Sequence, residues 1–117
     1  MMDATSFELN VSLPPDGRFV LTLRELAVHA ARYAGCRGHD ANAFGAVVER
    51  VARECVAFQS ASIEVVVRRG DGPVEVLIDC ERQPTEMIVT EPHVSVEWTR
   101  DRGRPVCRVA RAMPIDV

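Results

Sequence analysis

Long apolar runs are missing from this chain. No stretch approaches the ~18 residues that a membrane-spanning helix needs, and none is expected to cross a bilayer. The first residues, Met1-Met2-Asp3-Ala4, lack the basic region and apolar stretch of an export signal, so a cytoplasmic location is expected. Excess positive charge is lacking as well. A net charge of −3 leaves no electrostatic footprint for nucleic acid or acidic membranes, and neither is expected as a partner. Aromatics are only 5% of the chain, too few for the stacking platforms of single-strand binders. There is no internal repeat and no low-complexity segment. What is present is ordinary for one domain: 117 residues, 47% apolar and 26% charged.

Metal-site spacing is absent too. Cys36, Cys55, Cys80 and Cys107 form no CxxC knuckle, and His39, three residues after Cys36, has no second such pair to complete a ligand set. No metal site and no disulfide are expected; the thiols read as reduced and mostly buried. Cys36, between Gly35 and Arg37, reads as an inert loop thiol. His29, His39 and His93 are scattered, and Ser60, Ser62 and Ser95 sit in no G-x-S-x-G elbow, so no catalytic triad is expected. The basic run Arg100-Asp101-Arg102-Gly103-Arg104 reads as a solvated hairpin tip.

Periodicity supplies the elements. Ser6–Leu13 alternates Phe7, Leu9, Val11 and Leu13 with Glu8, Asn10 and Ser12, the period of a strand. Pro14-Pro15-Asp16-Gly17 stops it. A helix is predicted from Phe19 or Thr22 to Ala34, with Thr22 and Glu25 as a capping box and Gly35 and Gly38 at its exit. A second is predicted from an Asp40 N-cap to about Phe58. Its stripe is Phe44, Val47, Val48, Val51, Cys55 and Phe58; Glu49 and Arg53 lie opposite, and Glu54 lies at the stripe's edge.

Two strands follow, Ser62–Arg69 and Val74–Cys80, joined through Gly70-Asp71-Gly72. Glu81–Pro92 reads as a connection whose only apolar run is Met87-Ile88-Val89. The last hairpin is His93–Arg100 and Pro105–Met113 about Asp101-Arg102-Gly103. Two helices can cover only one face of five strands. The expected fold is therefore α/β (α+β): a two-layer sandwich, β-α-α-β-β-β-β, with both helices on one face of a mainly antiparallel mixed sheet of about five strands. Phe7, Leu9, Leu26, Ala30, Val47, Val51, Val65, Val76 and Val96 are expected in one core. Val66 and Leu77 fall on the outer sheet face, as scattered surface residues or as the centre of a partner patch.

Several segments in this order carry a likeness. They are the strand Phe7–Leu13, the Leu21-Thr22-Leu23-Arg24 helix start, the second helix opening after Asp40, the strand Val76-Leu77-Ile78-Asp79 and the closing hairpin from Val94 to Val109. The chain resembles the anti-sigma-factor serine kinases, a branch of the ATPase superfamily shared by gyrase and histidine kinases. That resemblance implies an adenine-contacting Asp at Asp79 and a Glu-Ala-x-x-Asn motif on the second helix. Two registers offer themselves for the motif, Glu49 with Arg53 and Glu54 with Phe58, and neither ends in the magnesium-binding Asn. Asp79 is followed by Cys80-Glu81-Arg82-Gln83, without the glycines that let backbone approach a nucleotide. About 12 residues stand between Asp79 and the last hairpin, where the family places a glycine-rich ATP lid. Asp79, Glu49 and Glu54 are therefore read as vestigial cofactor-binding positions, with no catalytic residue, no metal and no cofactor expected.

The function expected is a regulatory protein-binding module without nucleotide binding, docking a sigma factor or another regulator of a bacterial cell. The alternative is an atypical ATP-binding serine kinase. Ser6–Leu13 carries no Lys and no Pro and is expected towards a sheet edge, where a homodimer or a partner strand could add.

Overall fold

The computed structural model describes residues 6–57, 61–70, 72–84 and 91–112. The expected helix end at Phe58, the loop residues Ser60 and Asp71, the run Met87-Ile88-Val89 and the strand end at Met113 lie outside the described residues. The order is β1 (Phe7–Leu13), α1 (Arg18–Tyr33), α2 (Gly38–Val56), β2 (Ile63–Arg69), β3 (Val74–Asp79), β4 (Val94–Asp101) and β5 (Arg104–Arg111). It is an α+β two-layer fold, with the helices against one face of a five-stranded open sheet. The strands run in the order β1-β2-β3-β5-β4. All four pairings are antiparallel, so the mixed character expected of the sheet gives way to a uniform ladder.

Residue spacing explains most of this. In β2, Ile63, Val65 and Val67 are buried, and in β3, Val74, Val76 and Ile78. They meet Leu23, Ala27 and Ala31 of α1 and Phe44, Val48 and Val51 of α2 in one core. In the last hairpin, Arg102 and Gly103 both have positive φ, 54° and 80°. That is the backbone of a two-residue turn whose twist matches the strands it joins. Gly35, at φ 110°, makes the left-handed exit from α1.

The helix starts differ from expectation. α1 begins at Arg18, so Thr22 is already inside it and caps nothing; Gly17 at the N-cap offers no side chain. Asp16 does the work instead, with Oδ1 accepting from the Arg18 backbone N–H at 2.9 Å. α2 opens at Gly38, two residues before the expected cap. Asp40 therefore lies in the first turn, where its charge favours the helix N-terminus, and it pairs with the buried Arg111 at 3.4 Å.

The core differs at one expected member. Leu9 is 45% exposed. It faces the helix layer as its parity requires, but β1 is the edge of the sheet and, among the described residues, has strand cover on one side only. Phe7, Leu26 and Val96 pack against the core while remaining partly exposed.

Candidate interaction surface

The three vestigial positions do not share a cleft. Asp79 ends β3 on the outer sheet face, since Val74, Val76 and Ile78 take the inner one. It accepts a hydrogen bond from Arg104 Nε at 2.8 Å. Its surroundings form a shallow outer depression with Glu64, Val66, Leu77, Thr99, Asp101 and Val106. Glu49 belongs to the other layer. Its carboxylate takes Arg24 Nη1 of α1 and Arg53 Nη2 of its own helix, each at 2.9 Å. The Arg53 bond, joined by that of Arg24, outweighs partial burial and holds the Glu49 carboxyl below the usual glutamate range. Glu54 is exposed on α2. The sheet thus stands between Asp79 and both glutamates.

The outer face carries charge in cross-strand pairs. Glu75 of β3 accepts from Arg68 of β2 and from Arg108 of β5, and Arg108 also reaches Glu97 of β4 at 3.7 Å. These guanidiniums flank Val66 and Leu77, which lie directly opposite one another on β2 and β3. The two apolar side chains are only half-buried, yet the ionic rows on either side keep that face polar.

A different surface is apolar. Between β1 and α1 lies a groove of about 270 Å³, lined by Phe7, Leu9, Leu26, His29, Ala30 and Tyr33. The spacing of α1 makes one wall: Leu26, His29, Ala30 and Tyr33 fall at i, i+3, i+4 and i+7, a second stripe beside the core stripe. Ala30 is small enough to leave the space open. The edge strand makes the other wall through Phe7 and Leu9 on its helix-facing side. Phe7 and Tyr33 meet edge to face at the end of the groove, with centroids 5.6 Å apart and ring planes at 77°. Tyr33 remains 60% exposed, so the groove opens to solvent between two hydrophobic side chains.

Of the groove residues, Phe7, Leu9, Leu26 and Ala30 are expected from the sequence in the core and Tyr33 has no expected role; Ala30 is buried there, and Phe7 and Leu26 pack against it while also lining the groove. The signal that could have found the groove is the second helical stripe, read together with a strand destined for the edge.

Three of the four thiols converge at one end of the core. Cys80 points its Sγ at Cys55 Sγ, 2.6 Å away, across the interface between β3 and α2. Both are free, as are Cys36 and Cys107. The Cys80 contact, then burial, pushes the Cys55 thiol far up; burial, then the nearby Cys80, pushes Cys107 up to about 12. These groups are poor nucleophiles, because thiolate is what reacts. Among the described residues no group of three or more His, Cys, Asp or Glu side chains is placed to hold a metal ion. Among them, too, no helix is long and apolar enough to cross a membrane.

No protein-family model matches the chain, and no curated protein matches it in sequence.

Proposed function

We propose that this chain is a regulatory protein-binding module, which docks a partner polypeptide in the β1–α1 groove and does not work through ATP and magnesium. The observation that carries the reading is the groove itself: an open, almost wholly apolar trough between β1 and α1. Burying one leucine-sized side chain there contributes roughly 1.5–3 kcal/mol. The resemblance seen in the sequence gives the partner class, a sigma factor or comparable regulator.

The nucleotide alternative has less to draw on. Glu49 is already held by two arginines, Asp79 by Arg104, and the two carboxylates lie on opposite sides of the sheet. A single hydrogen bond from adenine to Asp79 would net up to about 3 kcal/mol, well short of the ~8 kcal/mol of a micromolar complex.

Two measurements test the reading. Calorimetric titration with ATP and magnesium should give no heat at millimolar nucleotide; saturable micromolar binding abolished by Asp79→Ala would restore the kinase alternative. A photoreactive phenylalanine analogue in place of Tyr33, irradiated in the native cell, should become covalently joined to a specific second protein. That adduct should disappear when Leu9→Lys is added. An adduct pattern indifferent to Leu9→Lys would remove the groove from the account.

A further inference from the structure

β1 is the terminal strand of the sheet. It pairs with β2 over seven consecutive residues, Phe7 with Arg69 through Leu13 with Ile63, without a bulge. Among the described residues nothing pairs with its other side. Edge strands are ordinarily protected from each other by charge, proline or a bulge. β1 has neither of the last two, and Glu8 is its only charged residue. The opposite edge, β4, carries Glu97, Arg100 and Asp101.

The chemistry of β1 is also close to symmetric about its middle. Phe7, Leu9, Val11 and Leu13 face the helix layer, and Glu8, Asn10 and Ser12 the outer face. From these features we infer that β1 pairs antiparallel with β1 of a second copy of this chain, in the register centred on Asn10. This goes beyond the docking groove and stands on a separate observation, the self-complementary edge.

The register follows from elimination. Centred on Asn10, all seven residues find partners: Phe7 faces Leu13 of the other copy, Glu8 faces Ser12, Leu9 faces Val11, and Asn10 faces its own equivalent. No like charges meet. Centred on Glu8, the overlap shrinks to three residues and the two Glu8 carboxylates oppose each other, which is destabilising. Centred on Leu9, two pairs are lost. Centred on Val11, Glu8 comes opposite Pro14, which has no N–H to give. A slip by one residue sets the apolar row of one strand against the polar row of the other.

Pairing about Asn10 joins the two five-stranded sheets into one. Its two-fold axis is normal to the sheet, so both helix layers lie on the same side. The two grooves then face one another across the axis, and a docking partner meets a surface contributed by both copies.

Position 10 supplies the test, because Asn10 is exposed and, across the proposed seam, faces its own equivalent. The chain has no lysine side chain for amine cross-linkers to use, so a cysteine reports instead. Sedimentation across a concentration series should move the mass from 12.9 kDa towards twice that value. Asn10→Glu and Asn10→Lys should each raise the dimer dissociation constant about tenfold or more, through like charges on the axis. Mixing the two variants should restore the dimer.

Asn10→Cys should form a disulfide-linked dimer under mild oxidation, since directly opposed Cα atoms lie about 4.5–5.5 Å apart, within disulfide reach. Glu8→Cys should not, because its own equivalent would lie four residues along, about 14 Å away. Circular dichroism melts of each variant report that the fold is kept. A monomer at every concentration overturns the inference, as does a dimer indifferent to charge at position 10 or one that cross-links equally through position 8. A monomeric chain that still gives the Leu9-dependent Tyr33 adduct would leave the docking groove standing without the dimer.

Discussion

Glu75 shows how single residues set the character of the outer face. It sits mid-sheet with its side chain 14% exposed, between Arg68 and Arg108. Burial by itself pushes its carboxyl up, but the hydrogen bonds from Arg108 and Arg68 together more than cancel that and leave it below the usual glutamate range. A carboxyl whose folded value lies below its unfolded one stabilises the protein fully above the ordinary range near ~4.3. That contribution is lost as pH falls through the lower, folded value. Glu75→Gln should therefore flatten the acid limb of stability against pH and cost roughly 1 kcal/mol at neutral pH. Urea midpoints measured from neutral to acid would check this; an acid limb of unchanged slope would refute it. Asp79 makes the contrast. Its bond to Arg104 joins two side chains that are each more than a third exposed, so Asp79→Ala should leave stability within about 0.5 kcal/mol. That makes it a clean probe of nucleotide binding.

At the scale of elements, the helix pair depends on one glycine. Gly45 of α2 is buried where the helix crosses α1. A Cβ added there would press on Val28 Cγ2 and lie 3.1 Å from the Arg24 carbonyl oxygen. The backbone oxygen cannot rotate away as a side chain can. Gly45→Ala gains up to ~1 kcal/mol in helix propensity, yet overpacking costs about 1–3 kcal/mol, so the net effect should be destabilising. Thermal melts of Gly45→Ala would decide it, and a raised melting temperature would show that α1 moves aside freely. The same crossing positions Arg24 over Glu49. The Glu49–Arg53 pair was legible from its spacing of four; its third member, contributed by α1, was not.

For the whole molecule, the free thiols report on the shared core. Cys55 comes from α2, Cys80 directly follows β3 and Cys107 comes from β5, and all three are essentially inaccessible. Their exposure requires the helix layer to leave the sheet. A thiol reagent should therefore react with them only at the rate of global opening, while four thiols titrate at once in denaturant. The unfolding midpoint should be unaffected by reductant. Two titratable thiols instead of four, with a peptide map joining Cys55 to Cys80, would overturn this.

Much of the architecture was determined by the sequence alone. Alternation over Phe7–Leu13, Ile63–Val67 and Val74–Ile78 defined strands and their inner faces, and the same parity already put Asp79 on the outer face. The stripe from Phe44 to Cys55 defined the second helix. These signals are local, because the period of a strand or helix is written within a few residues. Helix starts were less legible: Thr22 and Glu25 have the spacing of a capping box, but the chain enters α1 at Arg18, where Asp16 accepts from the Arg18 N–H, because of how it leaves β1. Only the tertiary structure decided the sheet order, which inserts β5 between β3 and β4 and sets β1, expected towards an edge, at the edge beside β2. That placement turned Leu9 from an expected core residue into the wall of a groove, and it separated Asp79 from Glu49 by a whole layer. Such outcomes depend on pairing segments more than fifty residues apart, as Phe7 with Arg69, and no local periodicity specifies which distant strand will be the neighbour.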